Sequence, residues 1–209
     1  GVGAIVDSFN YTAFFFPGFL VHTAMMLAWR ESSESVHKRF CEETSLYQTF
    51  RLTSLEAHEV GLGEWLWASA KGFVPTTFFT IGAAILGLLS WTLVPLVLIG
   101  LALTSTFFAS LGLAAGSWFL RTEHLNILHS VALIPLFFFS GAFFPLEALF
   151  GSLPWVQIVL PISFVITNLR ELFQGDVNPG WFLTLGALAL LNLLALNGAL
   201  KLFGSRYSP

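Results

Sequence analysis

From residue 72 to residue 120 the chain runs for 49 positions without one Asp, Glu, Lys or Arg. A helix rises about 1.5 Å per residue and a bilayer's hydrocarbon core is about 30 Å thick, so this run predicts two crossings rather than one. The break falls at Trp91-Thr-Leu-Val-Pro95, where an interface-seeking Trp stands just before a helix-breaking Pro. The two predicted spans are therefore 72–90 and 95–120. Uncharged stretches at 11–29 and 125–144 read as two more, and 181–202, whose one charge is Lys201 near its end, reads as a fifth. Between these last two spans lies an apolar segment, 145–170, that contains Glu147, Pro154 and Pro161 and ends on Arg170.

Lys and Arg concentrate on the cytoplasmic side of a membrane, which turns topology into a count. If 145–170 dips in and returns, eight basic residues lie inside and only Arg170 outside; if it crosses, Lys201 and Arg206 are expelled and the score falls to seven against two. Two prolines also argue against one unbroken helix through the segment. The expected fold is an all-α integral membrane protein with five transmembrane helices, a re-entrant helical hairpin between the last two, and a cytoplasmic C-terminus. That count puts Gly1 outside. The chain opens Gly-Val-Gly with no initiator Met, basic n-region or cleavage site, so it is expected to lack an upstream span, and the complete protein is expected to have six.

Composition agrees, with 56% hydrophobic and only 10% charged residues where soluble domains carry about 25% charged. A net charge of -3 excludes nucleic-acid binding driven by charge, and the single Cys41 excludes a disulfide framework or a cysteine-rich metal site. Catalytic groups are scarce. His58-Glu59 begins like the zinc motif H-E-x-x-H, but position 62 is Leu. Intramembrane serine proteolysis would need a histidine on a neighbouring span, and the last span has none. No G-x-x-x-x-G-K-[ST] loop is present, so any nucleotide energy must come from another subunit. His22 and His129 fall within spans and read as polar packing residues, and the 23 phenylalanines as packing and lipid-facing ones.

Residues 30–71 hold five of the nine basic and seven of the twelve acidic residues, so this loop is the one sizeable soluble surface and the expected docking place of a partner. Val36, Phe40, Tyr47 and Phe50 form an apolar stripe at roughly helical spacing. Thr53-Ser-Leu-Glu56 matches a capping box, with Leu52 and Ala57 placed as its hydrophobic staple. A helix is therefore expected to start near Thr53, bend at Gly61 and Gly63, and enter the membrane near Gly72. The expected docking residues are Leu46, Tyr47, Phe50, Arg51, Leu52, Thr53 and Leu55, with Tyr47, Phe50 and Leu52 as apolar anchors. Segment 145–170 is expected to form two short helices near the outer face, because broken backbone at membrane depth must be sheltered by protein or a wet cavity. It would act as a lid, with Glu147 and Arg170 either paired or standing as separate interfacial charges.

Ser140-Gly-Ala-Phe-Phe-Pro-Leu-Glu147, then Leu153-Pro154, Leu160-Pro161, Asn168-Leu-Arg170 and Gly175, resembles the C-terminal signature of ABC-2 type exporter permeases in order and spacing. Upstream, Tyr11-Thr-Ala-Phe14, Pro17-Gly18, Ala24-Met25 with Glu31, Leu46-Tyr-Gln-Thr49, and Gly63-Glu-Trp-Leu-Trp-Ala68 with Lys71 resemble the nodulation-type lipooligosaccharide permeases of that family. The resemblance covers nearly all 209 residues. It departs at Phe164, which follows Pro161-Ile-Ser163 where those relatives often carry a His.

The resemblance implies a permease of six spans whose interfacial N-terminal helix and first span precede this sequence. It also implies a homodimer in the bacterial cytoplasmic (inner) membrane, served by two copies of a separate ATPase that binds ATP and Mg; the chain itself would hold no cofactor. The family's coupling helix corresponds to the 30–71 loop. The implied cargo is an amphipathic or lipid-linked molecule, a lipooligosaccharide or polysaccharide, with drug or antibiotic efflux as the alternative. Rivals of other classes are a gated channel, which needs a polar pore lining, and an ion-coupled secondary transporter, which needs ionisable groups near mid-membrane. The spans supply little of either.

Overall fold

A computed structural model of the chain describes residues 11–41, 46–143 and 161–207, and every regular element within them is helical. Helix α1 (Tyr11–Arg30) continues through a π-helical turn (Glu31–Ser35) into α2 (Val36–Cys41). Then come α3 (Leu46–Arg51), α4 (Ala57–Ile85) and α5 (Val94–Trp118). Helix α6 (Thr122–Leu128) passes through a second π turn (His129–Leu133) into α7 (Ile134–Phe138), and α8 (Pro161–Gln174) and α9 (Gly180–Tyr207) complete the order. Among the described residues, α5 and α9 are the two helices long and apolar enough to cross a membrane by length and composition alone.

The predicted break at 91–95 is present. Helix α4 closes at Gly87, whose positive φ of 74° lets its N–H reach Ala84 O at 3.1 Å while Leu88 N reaches Ala83 O at 2.9 Å. Pro95 then sits in the first turn of α5, where its missing N–H removes no helical bond.

The predicted start near Thr53 is corrected. The Thr53 hydroxyl donates to Phe50 O at 2.6 Å and accepts from Leu55 N at 3.3 Å, so Thr53 closes α3 instead of opening α4. The cap is Glu56, whose N–H donates to Glu59 Oε2 at 2.9 Å. Leu52 is 88% exposed and staples nothing. Helix α4 also runs unbroken through Gly61 and Gly63, and Gly61 is a contact point rather than a hinge: a Cβ there would lie 2.9 Å from Leu200 Cδ2. The span predicted at 125–144 is helical from Thr122 to Phe138 and passes through the second π turn.

Helix α5 lies at the centre and packs against α1, α4 and α9. Lipid tails are as apolar as leucine, so close backbone approach carries helix association in a membrane. The spacing Gly112-Leu-Ala-Ala-Gly116 provides it: a Cβ on Gly116 would meet Ser33 O at 2.6 Å, and one on Gly112 would meet Trp29 O at 2.8 Å. In the facing π turn, buried Ser32 and Ser33 donate back to Ala28 O at 2.9 Å and Trp29 O at 2.8 Å, so the widened turn leaves these carbonyls bonded. His22 packs as expected, stacked on Phe137 with 3.7 Å between ring centroids.

The two ends of the bundle differ. At one end Arg170 of α8 donates to Phe14 O at 3.0 Å, Gly141 O at 2.6 Å and Ala142 O at 3.1 Å. At the other, Arg51 donates to Arg206 O at 3.1 Å, bringing α3 onto the last turn of α9. The chain thus leaves residue 142 and is back beside it at residue 170.

Candidate functional site

Helices α2 and α3 form a short hairpin folded over the start of α4 and the end of α9. Its apolar residues make a satellite core in which Val36, Tyr47, Val60, Leu113, Phe203 and Tyr207 are all buried. The Tyr47 ring is 1% exposed and stands edge-on to Phe40 and Phe203, with centroids 4.6 and 5.5 Å away. Tyr47 is therefore corrected as a docking anchor: it holds the hairpin to its own chain and has no surface to offer a partner.

Beneath this core lies a buried carboxylate. Glu64 shares a face of α4 with buried Val60 and Ala68 and is 9% exposed. Its two partners come from the hairpin. The Arg39 guanidinium of α2 pairs with Glu64 Oε1, and the Tyr47 hydroxyl of α3 donates to the same oxygen at 3.1 Å. Burial works against the charge on Arg39, but Glu64 outweighs it and holds the guanidinium above its ordinary pKa. Burial and the same carboxylate raise the Tyr47 phenol, which stays a hydrogen-bond donor.

Two further clasps flank this one. Glu31, in the first π turn, accepts from Trp67 Nε1 at 2.9 Å and pairs with Lys71 Nζ at 3.0 Å. Partial burial would raise its carboxyl, yet the bonds from Lys71 and Trp67 win and hold it below the ordinary value. On the far side, His37 Nδ1 lies 3.1 Å from Phe119 O and its Nε2 lies 3.2 Å from the Thr122 hydroxyl, which fits a neutral ring protonated on Nδ1. The Leu46-Tyr-Gln-Thr49 and Gly63-Glu-Trp-Leu-Trp-Ala68 motifs, 13 residues apart along the chain, meet in this region beside Glu31 and Lys71.

The remaining docking residues divide by exposure. Leu52, just past the end of α3, is 88% exposed, with Leu46 at 45% and Leu55 at 43%. Arg51 and Thr53 are exposed and Phe50 is half-buried. Arg51 is already engaged, lying 5.2 Å over the Tyr207 ring. A cavity of about 420 Å³, lined by Arg39, Phe50, Glu64 and Trp67 among others, opens on one side of Leu55, and one of about 600 Å³, reaching Gly204 and Tyr207, on the other.

Of the lid residues, Glu147 and Pro154 lie outside the described residues, and with them the Glu147–Arg170 pair. Pro161 opens α8. Arg170 stacks 3.7 Å over the Phe14 ring and spends Nε and Nη2 on the three carbonyls already named. Sequence reading passed over Glu64 and the Gly112/Gly116 pair. Both left a signal: Glu64 falls four residues after Val60 and four before Ala68, on one apolar face, and the glycines have the spacing of close helix contact.

A hairpin clasped to a bundle that holds two helices of membrane-crossing length and composition fits a membrane protein. The profile of the ABC-2 type transporter family matches residues 2–173, and the chain belongs to that family. It is similar to Nodulation protein J of Rhizobium leguminosarum bv. viciae, 27% identical over 91% of this chain and 74% of that protein. The same-named protein of Bradyrhizobium diazoefficiens is 28% identical over 99% of this chain and 79% of its own length, and that of Sinorhizobium fredii 28% over 93% and 75%. No solved structure matches. The chain is an ABC-2 permease of the nodulation type, a membrane transporter subunit rather than an enzyme.

Proposed function

We propose that this permease exports an amphipathic or lipid-linked molecule, a lipooligosaccharide or polysaccharide, from the cytoplasm across the bacterial inner membrane. It works as a homodimer with a separate ATPase that binds ATP and Mg. The observation that carries the reading is the hairpin: apolar Leu46, Leu52 and Leu55 are held outward on a support clasped by Arg39, Tyr47 and Glu64, which is what a docking knob needs. Phe50, Arg51 and Thr53 complete the knob. The contact of α3 with the end of α9 supports the five-span topology, in which the hairpin and the end of the last span share the cytoplasmic side. Segment 145–170 is proposed as an outer-face lid, anchored by Arg170 where the chain returns to Phe14 and Gly141.

The test is co-purification of the ATPase with tagged permease carrying Phe50→Ala and Leu52→Ala. Anchors at the centre of an interface are worth about 2 kcal/mol each, so the double variant should lose the ATPase while keeping its fold. Undiminished assembly and transport would move the docking site elsewhere.

A further inference from the structure

Glu64 is an acid where an apolar helix face would take an alanine or a leucine. A carboxylate removed from water is tolerated when paired and hydrogen-bonded, and stripping one partner leaves a buried charge without compensation. Both identified partners of Glu64, Arg39 and Tyr47, belong to the hairpin, one from each of its helices, and Glu64 belongs to the long helix α4. The hairpin's other supports are the packing of Phe40 and Tyr47 on Phe203 and Tyr207 of α9, the Arg51 bond to Arg206 O, and the His37 contacts with Phe119 O and the Thr122 hydroxyl. Those ties lead to α9, to the end of α5 and to α6, whereas the Glu64 ties lead to α4. Open grooves flank Leu55, one bordered by α4 and the other also by the end of α9.

We infer that Glu64 is the latch that ties the hairpin's movement to α4, so that a displacement imposed at Leu52 passes through Arg39 and Tyr47 into the helix that continues to Ile85. The inference rests on the docking reading above. Glu64 is a positioning residue: it joins α4 to a hairpin that is already continuous with α1 through the π turn. The neighbouring pair Lys71–Glu31 also reaches α4, but from the π turn rather than from the hairpin, and it is the more exposed of the two.

The test uses the permease with its ATPase in lipid nanodiscs. An environment-sensitive maleimide fluorophore is placed at Ile85→Cys, 70% exposed at the far end of α4, in a Cys41→Ser background. Two signals are read: ATPase retained on the tagged permease, and the fluorescence change on adding ATP with orthovanadate. The unmodified Glu64 protein should show both. Glu64→Ala should retain the ATPase but lose most of the nucleotide response. Glu64→Gln, whose amide oxygen still accepts from Tyr47, should recover part of it. A full response in Glu64→Ala overturns the latch, as does a Glu64 protein whose α4 ignores nucleotide. ATPase loss in both variants assigns Glu64 to hairpin folding and also overturns it. If the Glu64 protein itself retains no ATPase, the docking reading falls first and the latch with it.

Discussion

Arg206, in the last turn of α9, donates to the carbonyl of Phe119, just beyond the end of α5, at 2.9 Å. The same nitrogen reaches Gly116 O at 3.0 Å and Ser117 O at 3.1 Å, so one guanidinium serves three carbonyls that the end of the helix leaves without intrahelical donors. Its plane also lies 4.5 Å over the Phe40 ring. Arg206→Ala should lower stability by about 2 kcal/mol, as hydrogen bonds from charged groups do. Arg206→Lys should recover little, because an ammonium has neither the fork nor the flat face. Thermal unfolding in detergent measures both, and equal melting of Arg206→Ala and the parent would refute the role.

The hairpin residues should separate into two kinds. Leu52→Ala removes an exposed side chain and should leave the melting temperature unchanged while weakening ATPase capture. Tyr47→Ala removes a buried ring and should cost about 3 kcal/mol of stability. Tyr47→Phe keeps the ring and isolates the bond to Glu64. If Leu52→Ala and Tyr47→Ala had the same effects in both assays, the distinction would be lost.

Glycines provide a contrast within one chain. Gly116→Ala drives a methyl to 2.6 Å from Ser33 O and should destabilise by forcing α5 off the π turn. Gly63→Ala meets nothing within 4 Å and should stabilise α4 by about 0.5–1 kcal/mol, the ordinary helix preference of Ala over Gly. Melting curves of the two variants should shift in opposite directions.

A pH dependence centres on His37. Burial lowers its pKa from the ordinary 6.5; the Phe119 carbonyl opposes this, Arg206 reinforces it and Glu123 opposes it. The folded chain therefore holds fewer protons than the unfolded chain in the window below 6.5. The stability contributed by neutral His37 is complete above that value and is lost as pH falls through the lowered one. Melting temperature should drop on acidification across this window, and the drop should be shallower in His37→Gln. Parallel curves for parent and variant would exclude His37 as the source.

Topology has a direct readout. In a Cys41→Ser background, Asn178→Cys should react with an impermeant maleimide in intact cells, and Ser205→Cys should react only after the membrane is opened. Labelling of Ser205→Cys from outside would require segment 145–170 to cross.

Hydropathy alone located the long apolar helices and the turn between α4 and α5. Crossing a bilayer is a condition on uninterrupted length and charge, and both are local properties of the chain. The crowding of charge into 30–71 likewise marked the polar stretch that holds α2, α3 and the start of α4 before any packing was known. Helix starts were less legible, because Thr53 and Glu56 both fit a cap and only the bond from Thr53 to Phe50 O assigns Thr53 to the preceding helix. Glu59 and Glu64 show the limit most plainly. They lie on the same helix five residues apart, yet Glu59 is exposed and accepts from the Glu56 cap, while Glu64 is a buried partner of two other helices. The difference is made by Arg39 and Tyr47, distant in sequence and brought to Glu64 only when α2 and α3 fold across α4. Tertiary structure decided the state of that carboxylate because burial and pairing are properties of the assembled space around a side chain, which local sequence does not contain.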